Sequence, residues 1–326
     1  MFALGLDIGY SNLKLAFGEK GSSPQTLALP AGAGPLELLP QRLNGGVAQD
    51  VIQVTVNDQK WVAGVEPERL QGWDRELHLD YPNSHSYRAL FYAGLLLTER
   101  ERIDVLITGL PVNQYFDAER RKTLIERLKG EHAITPKRTV TVESVIVIPQ
   151  PAGAYMDVVN SQAGEPLLEI LQEGRTIVID PGFFSVDWVA LEQGEIRDKS
   201  SGTSLKAMSM LLEEINRLIQ EDHGACPGVD KLEKAIRAGK RELILLGQSV
   251  PFQEYFDQAS RKVAANALIP MRRSMREDGV QTDIVLLAGG GAEAYRSAAQ
   301  EIFPNSHLVV SDDAVLANAR GFWHCA

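Results

Sequence analysis

Residues 6–21 read LDIGYSNLKLAFGEKG, and residues 179–194 read IDPGFFSVDWVALEQG. Aligned without a gap at a separation of 173 residues, the two stretches place Asp7 on Asp180 and Gly9 on Gly182. In each copy an apolar strand leads to an aspartate, a glycine follows in a tight turn, and a second strand leaves the turn. A polar turn that contains glycine then ends the second strand, as a hairpin requires. The repeat therefore predicts two copies of one strand–turn–strand unit.

The turn between the two strands suits a phosphate group. Consecutive backbone N–H groups at its tip form a concavity for anionic oxygens, and the glycine allows the backbone to approach closely. The aspartate cannot bind phosphate directly, because both are anions, but it can hold Mg²⁺ through water. Two such hairpins facing one another would clamp the phosphate tail of a nucleotide. The alternative is that each Asp-x-Gly sequence only marks a hairpin turn, and a single copy would favour that interpretation.

A third signal is DIVLLAGGGA at residues 283–292, an apolar strand that runs into three glycines and then a helix. Gly289, Gly290 and Gly291 would let a flat ligand or a phosphate lie on the backbone at the start of that helix, where the helix dipole favours negative charge. The spacing differs from the G-x-G-x-x-G sequence of dinucleotide-binding folds. A plain strand-to-helix turn is the alternative.

A β-branched run at residues 145–148 precedes Pro149-Gln150-Pro151, and small residues follow that suit a tightly packed helix. Judged by its type alone, Gln150 is a turn residue, although an amide at this point could also orient an attacking water. Residues 31–35 are predicted to form a loop. Hydrophobic periodicity and capping residues predict further helices, at residues 88–100, 117–130, 201–221 (with Leu205 on the buried face), 252–275, 293–302 and 313–322.

The composition disfavours several classes of function. Of 326 residues, 33 are Lys or Arg and 43 are Asp or Glu, and the resulting net charge of −10 disfavours broad binding to nucleic acid. Cys226 and Cys325 lack the spacing of metal ligands and are interpreted as free thiols in a reducing compartment. No apolar run reaches the roughly 20 residues that span a bilayer, and the N-terminus lacks the features of a signal peptide. We therefore expect a cytoplasmic protein that contacts neither nucleic acid nor membrane directly.

The two Asp-Gly hairpins, the QPAGA sequence at 150–154 and the AGGGA sequence at 288–292 occur in an order that resembles the superfamily of actin, the chaperone ATPases and hexokinase. The opening LDIGYSNLKL, the segment TGLPVNQYFDAER at 108–120 and the ending ANARGF at 317–322 resemble the plasmid-segregation actins of the ParM (StbA) group. The resemblance implies an α/β actin-like (ribonuclease H-like) fold, with two duplicated domains around a nucleotide cleft. We expect the first domain to comprise residues 1–155, with 306–326 returning to it, and the second to comprise residues 156–305.

The resemblance also implies roles for individual residues. Asp7 and Asp180 would hold Mg²⁺ through water, and Gln150 would position the hydrolytic water, which reverses the interpretation made from its type alone. Four groups of residues would contact the nucleotide. The first phosphate loop would contribute Gly9, Tyr10, Ser11, Asn12 and Lys14, and the second would contribute Gly182, Phe183 and Ser185, with Asp187 beside it. Gly202 would lie near the ribose, and Gly289, Gly290 and Gly291 would lie against the base and sugar. The chain departs from the ParM pattern, which often has Glu at the position of Gln150. Phe183 and Phe184 also stand where small hydroxyl residues are common, which leaves fewer side-chain contacts to phosphate.

The function that this resemblance implies is a filament-forming hydrolase of ATP or GTP that requires Mg²⁺ and segregates plasmid DNA through a DNA-binding adaptor protein. One alternative is a small-molecule kinase of the same fold, although such enzymes usually need a carboxylate base, and Gln150 is too weak a base. Another is a scaffold that binds nucleotide without hydrolysing it. A membrane-bound filament of the MreB kind is a third, but the sequence shows no amphipathic anchor at its ends.

Overall fold

A computed structural model describes residues 1–40, 51–160, 165–278 and 281–326, without the side chains of residues 165 and 276–278. The chain divides into two compact units, Met1–Ala163 with Asp312–Ala326, and Gly164–Ser311. The whole of the helix that begins at Gln150 lies in the first unit, whereas the sequence placed the border at 155/156. The return to the first unit begins at 312, and the sequence placed it at 306.

The first unit is built around a five-stranded mixed sheet, with two small sheets of three strands each. Its strands are β1 Phe2–Ile8, β2 Asn12–Glu19, β3 Gln25–Pro30, β4 Gly32–Pro35, β5 Ile52–Val56, β6 Gln59–Val65, β7 Arg102–Ile103, β8 Val105–Leu110, β9 Gly130–Thr135, β10 Arg138–Val142 and β11 Val145–Pro149. Its first helices are α1 His85–Leu97, α2 Val112–Tyr115, α3 Ala118–Leu128 and α4 Gln150–Asn160.

The second unit is built around a sheet of the same size. Its strands are β12 Arg175–Pro181, β13 Val186–Glu192, β14 Glu195–Ser204, β15 Glu242–Leu245, β16 Gln248–Pro251, β17 Ile284–Leu287 and β18 His307–Val310. Its helices are α5 Glu165–Glu173, α6 Met208–His223, α7 Val229–Arg237, α8 Gln253–Ala267, α9 Ile269–Asp278 and α10 Ala292–Ile302, and α11 Ala317–His324 then belongs to the first unit.

The two large sheets have the same topology, which confirms the duplication predicted from the sequence. Their strand orders are β3-β2-β1-β8-β11 and β14-β13-β12-β17-β18. In each sheet the first three strands along the chain form an antiparallel meander, and the last two lie parallel to the first. The register is also repeated, because Asp7 pairs with Lys14 in one sheet and Asp180 pairs with Asp187 in the other.

The sequence of β1, FALGLDI, explains how the first sheet is covered on both faces. Successive side chains of a strand point to opposite faces, so the large residues at positions 2, 4, 6 and 8 share one face, where they join the core cluster that contains Leu90 and Phe91 of α1. The small residues Ala3 and Gly5 share the other face, where α11 packs closely. A Cβ on Gly5 would lie 2.2 Å from the carbonyl oxygen of Ala319. Asp7 belongs to this second face by the same alternation.

Several predicted helix boundaries are confirmed or corrected by the caps. Asp117 caps α3 as predicted, since its Oδ1 accepts hydrogen bonds from the backbone N–H groups of Glu119 and Arg120 at 3.1 and 3.2 Å. The helix predicted at 88–100 instead spans His85–Leu97, because the Oγ of Ser84 accepts a hydrogen bond from the Tyr87 N–H and caps it. The loop predicted at 31–35 instead contains strand β4, whose Gly32 lies so close to Val65 that a Cβ would approach the Val65 oxygen to 2.2 Å.

Three other helix predictions are wrong in part. Residues 201–204 pair in β14, and the helix begins only at Met208, so that Leu205 precedes it and is 51% exposed. The helix predicted at 252–275 is divided into α8 and α9, because Pro270 lacks an N–H group and is tolerated only near the start of α9. The last helix, predicted at 313–322, begins only at Ala317, and Asp313 adopts a left-handed conformation with φ of 44° outside it.

Within the described residues, no helix is long and apolar enough to cross a bilayer. Cys226 is exposed, Cys325 is half-buried, and both are free thiols, as predicted.

Candidate functional site

The first turn joins β1 to β2 and is closed by the backbone. The N–H of Gly9 donates to the carbonyl oxygen of Asn12 at 3.0 Å, and the side-chain amide of Asn12 donates to the Oγ of Ser11 at 3.1 Å. The backbone oxygen of Ser11 accepts a hydrogen bond from Ala31, which ties the turn to the segment that follows β3. The turn is therefore held in one conformation by its own residues and their neighbour.

Tyr10 leaves the same turn and packs against aromatic residues. Its ring stacks on Tyr81 with centroids 4.5 Å apart, and its hydroxyl donates to the backbone oxygen of His78 at 2.8 Å. Tyr81 in turn meets Tyr87 of α1 edge-on at 5.5 Å. Burial, and to a smaller extent the charge of Asp7, raises the pKa of the Tyr87 hydroxyl, which therefore stays protonated.

Asp7 is the centre of a cluster of three predicted site residues. Its carboxylate is 1% exposed, and each of its two oxygens has a partner. Lys14 Nζ lies 2.8 Å from Oδ2, and Gln150 Nε2 lies 3.1 Å from Oδ1. Since a carboxylate only accepts hydrogen bonds, the nitrogen of the Gln150 amide must face Asp7, which leaves the amide oxygen of Gln150 as an acceptor.

Gln150 reaches Asp7 because β8, the strand between β1 and β11, carries a glycine at the crossing point. β11 ends at Pro149, and Gln150 opens α4. A Cβ on Gly109 would lie 2.6 Å from the Cγ of Gln150 and 2.5 Å from the ring of Phe322. Gly109 is a site-forming residue that the sequence reasoning did not single out, although it belongs to the TGLP sequence quoted for the family resemblance.

The second turn repeats the backbone hydrogen bond of the first. The N–H of Gly182 donates to the carbonyl oxygen of Ser185 at 2.8 Å, which is the contact between Gly9 and Asn12 shifted by the repeat. The hydroxyls of Ser185 and Thr203 each donate to Asp187 at 2.6 Å. Asp187 is 2% exposed. Asp187 therefore stabilises the turn through these two hydrogen bonds, at the position that Lys14 occupies in the first copy. The contribution of Thr203 was not predicted from the sequence.

Phe183 and Gly182 connect the second turn to α6. The Phe183 side chain is buried, and the carbonyl oxygens of Gly182 and Phe183 accept hydrogen bonds from the N–H groups of Met208 and Ser209 at 3.2 and 2.9 Å. Phe183 is therefore fixed both by its buried ring and by its carbonyl oxygen. Gly202 packs against a neighbour too, because a Cβ there would lie 2.6 Å from the ring of Trp188.

The three glycines after β17 differ in what surrounds them. Gly289 adopts φ of +77° and touches Asp180, since a Cβ there would lie 1.9 Å from Oδ1 of that carboxylate. Gly291 donates its N–H to the Pro181 oxygen at 3.0 Å and packs against Met208. Gly290 is exposed, and a Cβ on it would meet nothing within 4 Å. The open position in the triplet is therefore Gly290, and its two neighbours fix the backbone on either side.

The described residues contain no group of three or more His, Cys, Asp or Glu side chains arranged to hold a metal ion directly. Asp7 and Asp180 each lie at the end of a buried strand beside a glycine turn. A single carboxylate of this kind fits Mg²⁺ that keeps its waters, because Mg²⁺ dehydrates reluctantly and is usually bound through one or two carboxylates and phosphate oxygens. Each of the two carboxylates therefore fits water-mediated Mg²⁺.

Two family models match the chain. Residues 5–153 match the N-terminal domain of actin-like proteins, and residues 178–301 match the C-terminal domain of the MreB-like archaeal actin homologues. The chain belongs to the actin-like superfamily. The two matched segments contain the two halves of the repeat, so the duplicated sheets are the two halves of an actin-like fold.

Solved structures resemble this actin-like chain over its whole length. The crystal structure of the archaeal actin homologue Ta0583 has a TM-score of 0.77 and 20% identity, covering 100% of this chain and 99% of that one. A non-polymerisable mutant of pCBH ParM has a TM-score of 0.75 and 17% identity, covering 99% of this chain and 98% of that one. A ParM from a 15-stranded filament from Clostridium botulinum has a TM-score of 0.73 and 16% identity, covering 99% of this chain and 98% of that one. No curated protein sequence matches the chain.

Proposed function

We propose that this actin-like chain is a slow Mg²⁺-dependent hydrolase of ATP or GTP whose nucleotide state controls its assembly into filaments. The observation that carries the proposal is the duplicated turn. Each copy places an aspartate at the end of a buried strand and closes the turn with the same backbone hydrogen bond. In the proposal each turn offers its backbone N–H groups to phosphate oxygens of the nucleotide. The crystal structure of Ta0583 in complex with ADP, at a TM-score of 0.75 and 18% identity, supports a nucleotide as the ligand.

Lys14 and Asp7 prepare the first turn for a phosphate tail. Their charges compensate one another in a buried place, so neither is left without a partner before the nucleotide binds. A bound phosphate would offer Lys14 a second anion, while Asp7 and Asp180 would accept hydrogen bonds from the waters of Mg²⁺. Bound Mg²⁺ would neutralise charge on the phosphate oxygens. The backbone N–H groups of both turns would supply the remaining contacts.

Gln150 is the residue that favours hydrolysis over transfer to a second substrate. Its Nε2 donates to Asp7, so the carbonyl oxygen of the amide is the group left to accept a hydrogen bond from an attacking water. An amide is too weakly basic to remove a proton, and its contribution is to orient the water. Transfer to a sugar or an acid would call for a carboxylate base, and Gln150 occupies the place where the resemblance puts the water-positioning group. A slow reaction suits a protein whose nucleotide state times its assembly.

The biological role we propose is segregation of plasmid DNA in the cytoplasm, through a DNA-binding adaptor protein. The ParM filament among the similar structures supports self-association. The net charge of −10 supports indirect contact with DNA, because an acidic protein is repelled by the phosphate backbone. The adaptor would supply the DNA-binding surface.

The proposal is tested by light scattering and sedimentation of the purified chain with Mg²⁺ and ATP, GTP, ADP or no nucleotide, with phosphate release followed in the same sample. We expect scattering that rises only with a triphosphate and decays as phosphate appears, and both signals should be lost when EDTA removes Mg²⁺. Hydrolysis without assembly at any protein concentration would contradict the filament and direct the search to a phosphate acceptor. Absence of nucleotide binding would contradict the whole proposal.

A further inference from the structure

A cavity of 180 Å³ lies within the first unit, between α1 and α3 and beside the start of β9. Three aromatic residues of α1 line it, Tyr87, Phe91 and Tyr92, at positions that recur on one face of a helix. Apolar and aromatic walls with a few polar groups are the usual lining of a small-molecule site. Because 180 Å³ is below the roughly 300 Å³ at which pockets for drug-sized ligands begin, a nucleotide would not fit.

Two arginines line this α1–α3 cavity, in addition to the polar side chains of Tyr87, Tyr92 and His132. Arg88 comes from α1 and Arg127 comes from α3, and both are half-buried. Arg88 donates to the amide oxygen of Asn57 at 3.3 Å, and Arg127 donates to the side chain and backbone of Asn83. In the part of the chain that the structure describes, neither guanidinium forms an ion pair with a carboxylate, although the sequence holds 43 acidic residues.

The two guanidiniums oppose one another electrostatically. Burial, together with the nearby charge of Arg88, holds the pKa of Arg127 below its usual value, although Tyr87 and Tyr92 partly oppose that shift. His132 also lines the cavity and bonds through Nε2 to the Leu128 oxygen at 2.9 Å, and burial lowers its pKa, which disfavours a third positive charge there. An anion in the cavity would relieve this repulsion and replace water on both guanidiniums.

We propose that the α1–α3 cavity binds a small organic carboxylate with an aromatic or aliphatic body. The planar fork of a guanidinium matches a carboxylate and holds it by two parallel hydrogen bonds. The rings of Phe91 and Tyr92 would pack against the apolar body, which an inorganic phosphate lacks. This site lies in one unit of the fold and does not depend on the proposed nucleotide site.

The experiment is calorimetric titration of the full chain, at low ionic strength, with benzoate and separately with inorganic phosphate. We expect saturable binding of benzoate that weakens at least about tenfold in Arg127→Met and in Arg88→Met, because each removes a charge-assisted hydrogen bond to the carboxylate. Arg127→Lys should also weaken binding, since it keeps the charge and loses the fork. Lys122→Met is the matched control, because Lys122 lies exposed on the same helix and pairs with Glu126.

Each outcome decides the proposal. Circular dichroism and melting of every variant would separate a lost ligand contact from a lost fold, and the control variant should bind benzoate as the unaltered chain does. Binding of benzoate that is unchanged by all three arginine variants would overturn the site. Binding of phosphate but not of benzoate would overturn the assignment of an organic carboxylate as the ligand. The absence of binding of either anion would overturn the site and its ligand together.

Discussion

The backbone of Gly289 lies against the carboxylate of Asp180, and the space between them excludes any side chain. A Cβ at 289 would lie 1.9 Å from Oδ1, and φ of +77° is in the region that L-residues rarely adopt. Gly289→Ala should therefore lower the free energy of unfolding by more than about 2 kcal/mol, since it combines an overlap with backbone strain. Equilibrium unfolding in urea measures this change.

Gly290→Ala is the matched control for that substitution, and it also probes the proposed ligand. A Cβ at 290 meets nothing within 4 Å, so the stability should change by less than about 0.5 kcal/mol. If the nucleotide lies on the exposed backbone of the triplet, its affinity should nevertheless fall, as measured with a fluorescent ATP analogue. An unchanged affinity in a stable Gly290→Ala chain would place the ligand elsewhere.

Gln150→Ala tests the role of the amide that Asp7 holds. We expect the rate of phosphate release to fall by about 100-fold, which is the order of loss when a reactant is no longer positioned. The nucleotide affinity should change little, because the amide is expected to contact the water and not the phosphates. Single-turnover hydrolysis and nucleotide titration measure the two quantities separately.

The control for this variant is Gln59→Ala, which alters an exposed glutamine on β6 in the same unit. It should leave both quantities unchanged. A parallel loss of affinity and rate in Gln150→Ala would instead assign Gln150 to nucleotide binding, and an unaltered rate would remove it from the mechanism.

The contact between α4 and α11 allows a third substitution test. A Cβ on Gly321 would lie 1.6 Å from the carbonyl oxygen of Gly153, so the two backbones touch. Arg320, the residue before it, forms two hydrogen bonds to Asp157 of α4 at 2.8 and 2.6 Å. Gly321→Ala must push the helices apart and should cost about 3 kcal/mol or more of stability. Urea unfolding measures it, and a cost as small as that of Gly290→Ala would show that α11 can move without loss.

The repeat and the strands of its two hairpins were predictable from the sequence because each depends on neighbouring residues. The stretches at 6–21 and 179–194 contain their own hydrophobic alternation and turn glycines, and the structure confirms the duplicated topology. Asp7 and Gln150 are 143 positions apart, and the resemblance implied a role at the nucleotide site for each of them but no contact between them. Their hydrogen bond depends on Gly109 of a third strand, and no periodicity indicates which glycine lies under which side chain.

The errors in helix bounds have the same origin. A stripe of apolar residues made 201–204 part of a helix, but pairing with β13 holds those residues in a strand. Pro270 was a local signal that the pattern of apolar residues outweighed. The α1–α3 cavity was not foreseen either, because Arg88 and Arg127 come from different helices, and only packing brings two cations together without an acid between them.

His132 predicts a pH dependence of stability in the first unit. Burial lowers its pKa, the Leu128 carbonyl opposes that shift, and the charge of Arg88 adds to it. The unfolded chain therefore takes up a proton at the ordinary value of about 6.5, while the folded chain takes it up only at lower pH. The contribution of His132 to stability is therefore present in full above the pKa of the unfolded chain, and it is lost as the pH falls through the pKa of the folded chain. The reason is that the unfolded chain binds more protons than the folded chain between these two pKa values.

The measurement is urea unfolding at a series of pH values from 8 to 5, on the unaltered chain and on His132→Gln, which keeps a donor for the Leu128 oxygen. We expect the unaltered chain to lose stability more steeply below about pH 6.5, and the two curves to run parallel above it. His307→Gln alters an exposed histidine and should follow the unaltered chain throughout. Equal slopes for all three chains would mean that the pKa of His132 is the same in the folded and unfolded chain, which would contradict the prediction.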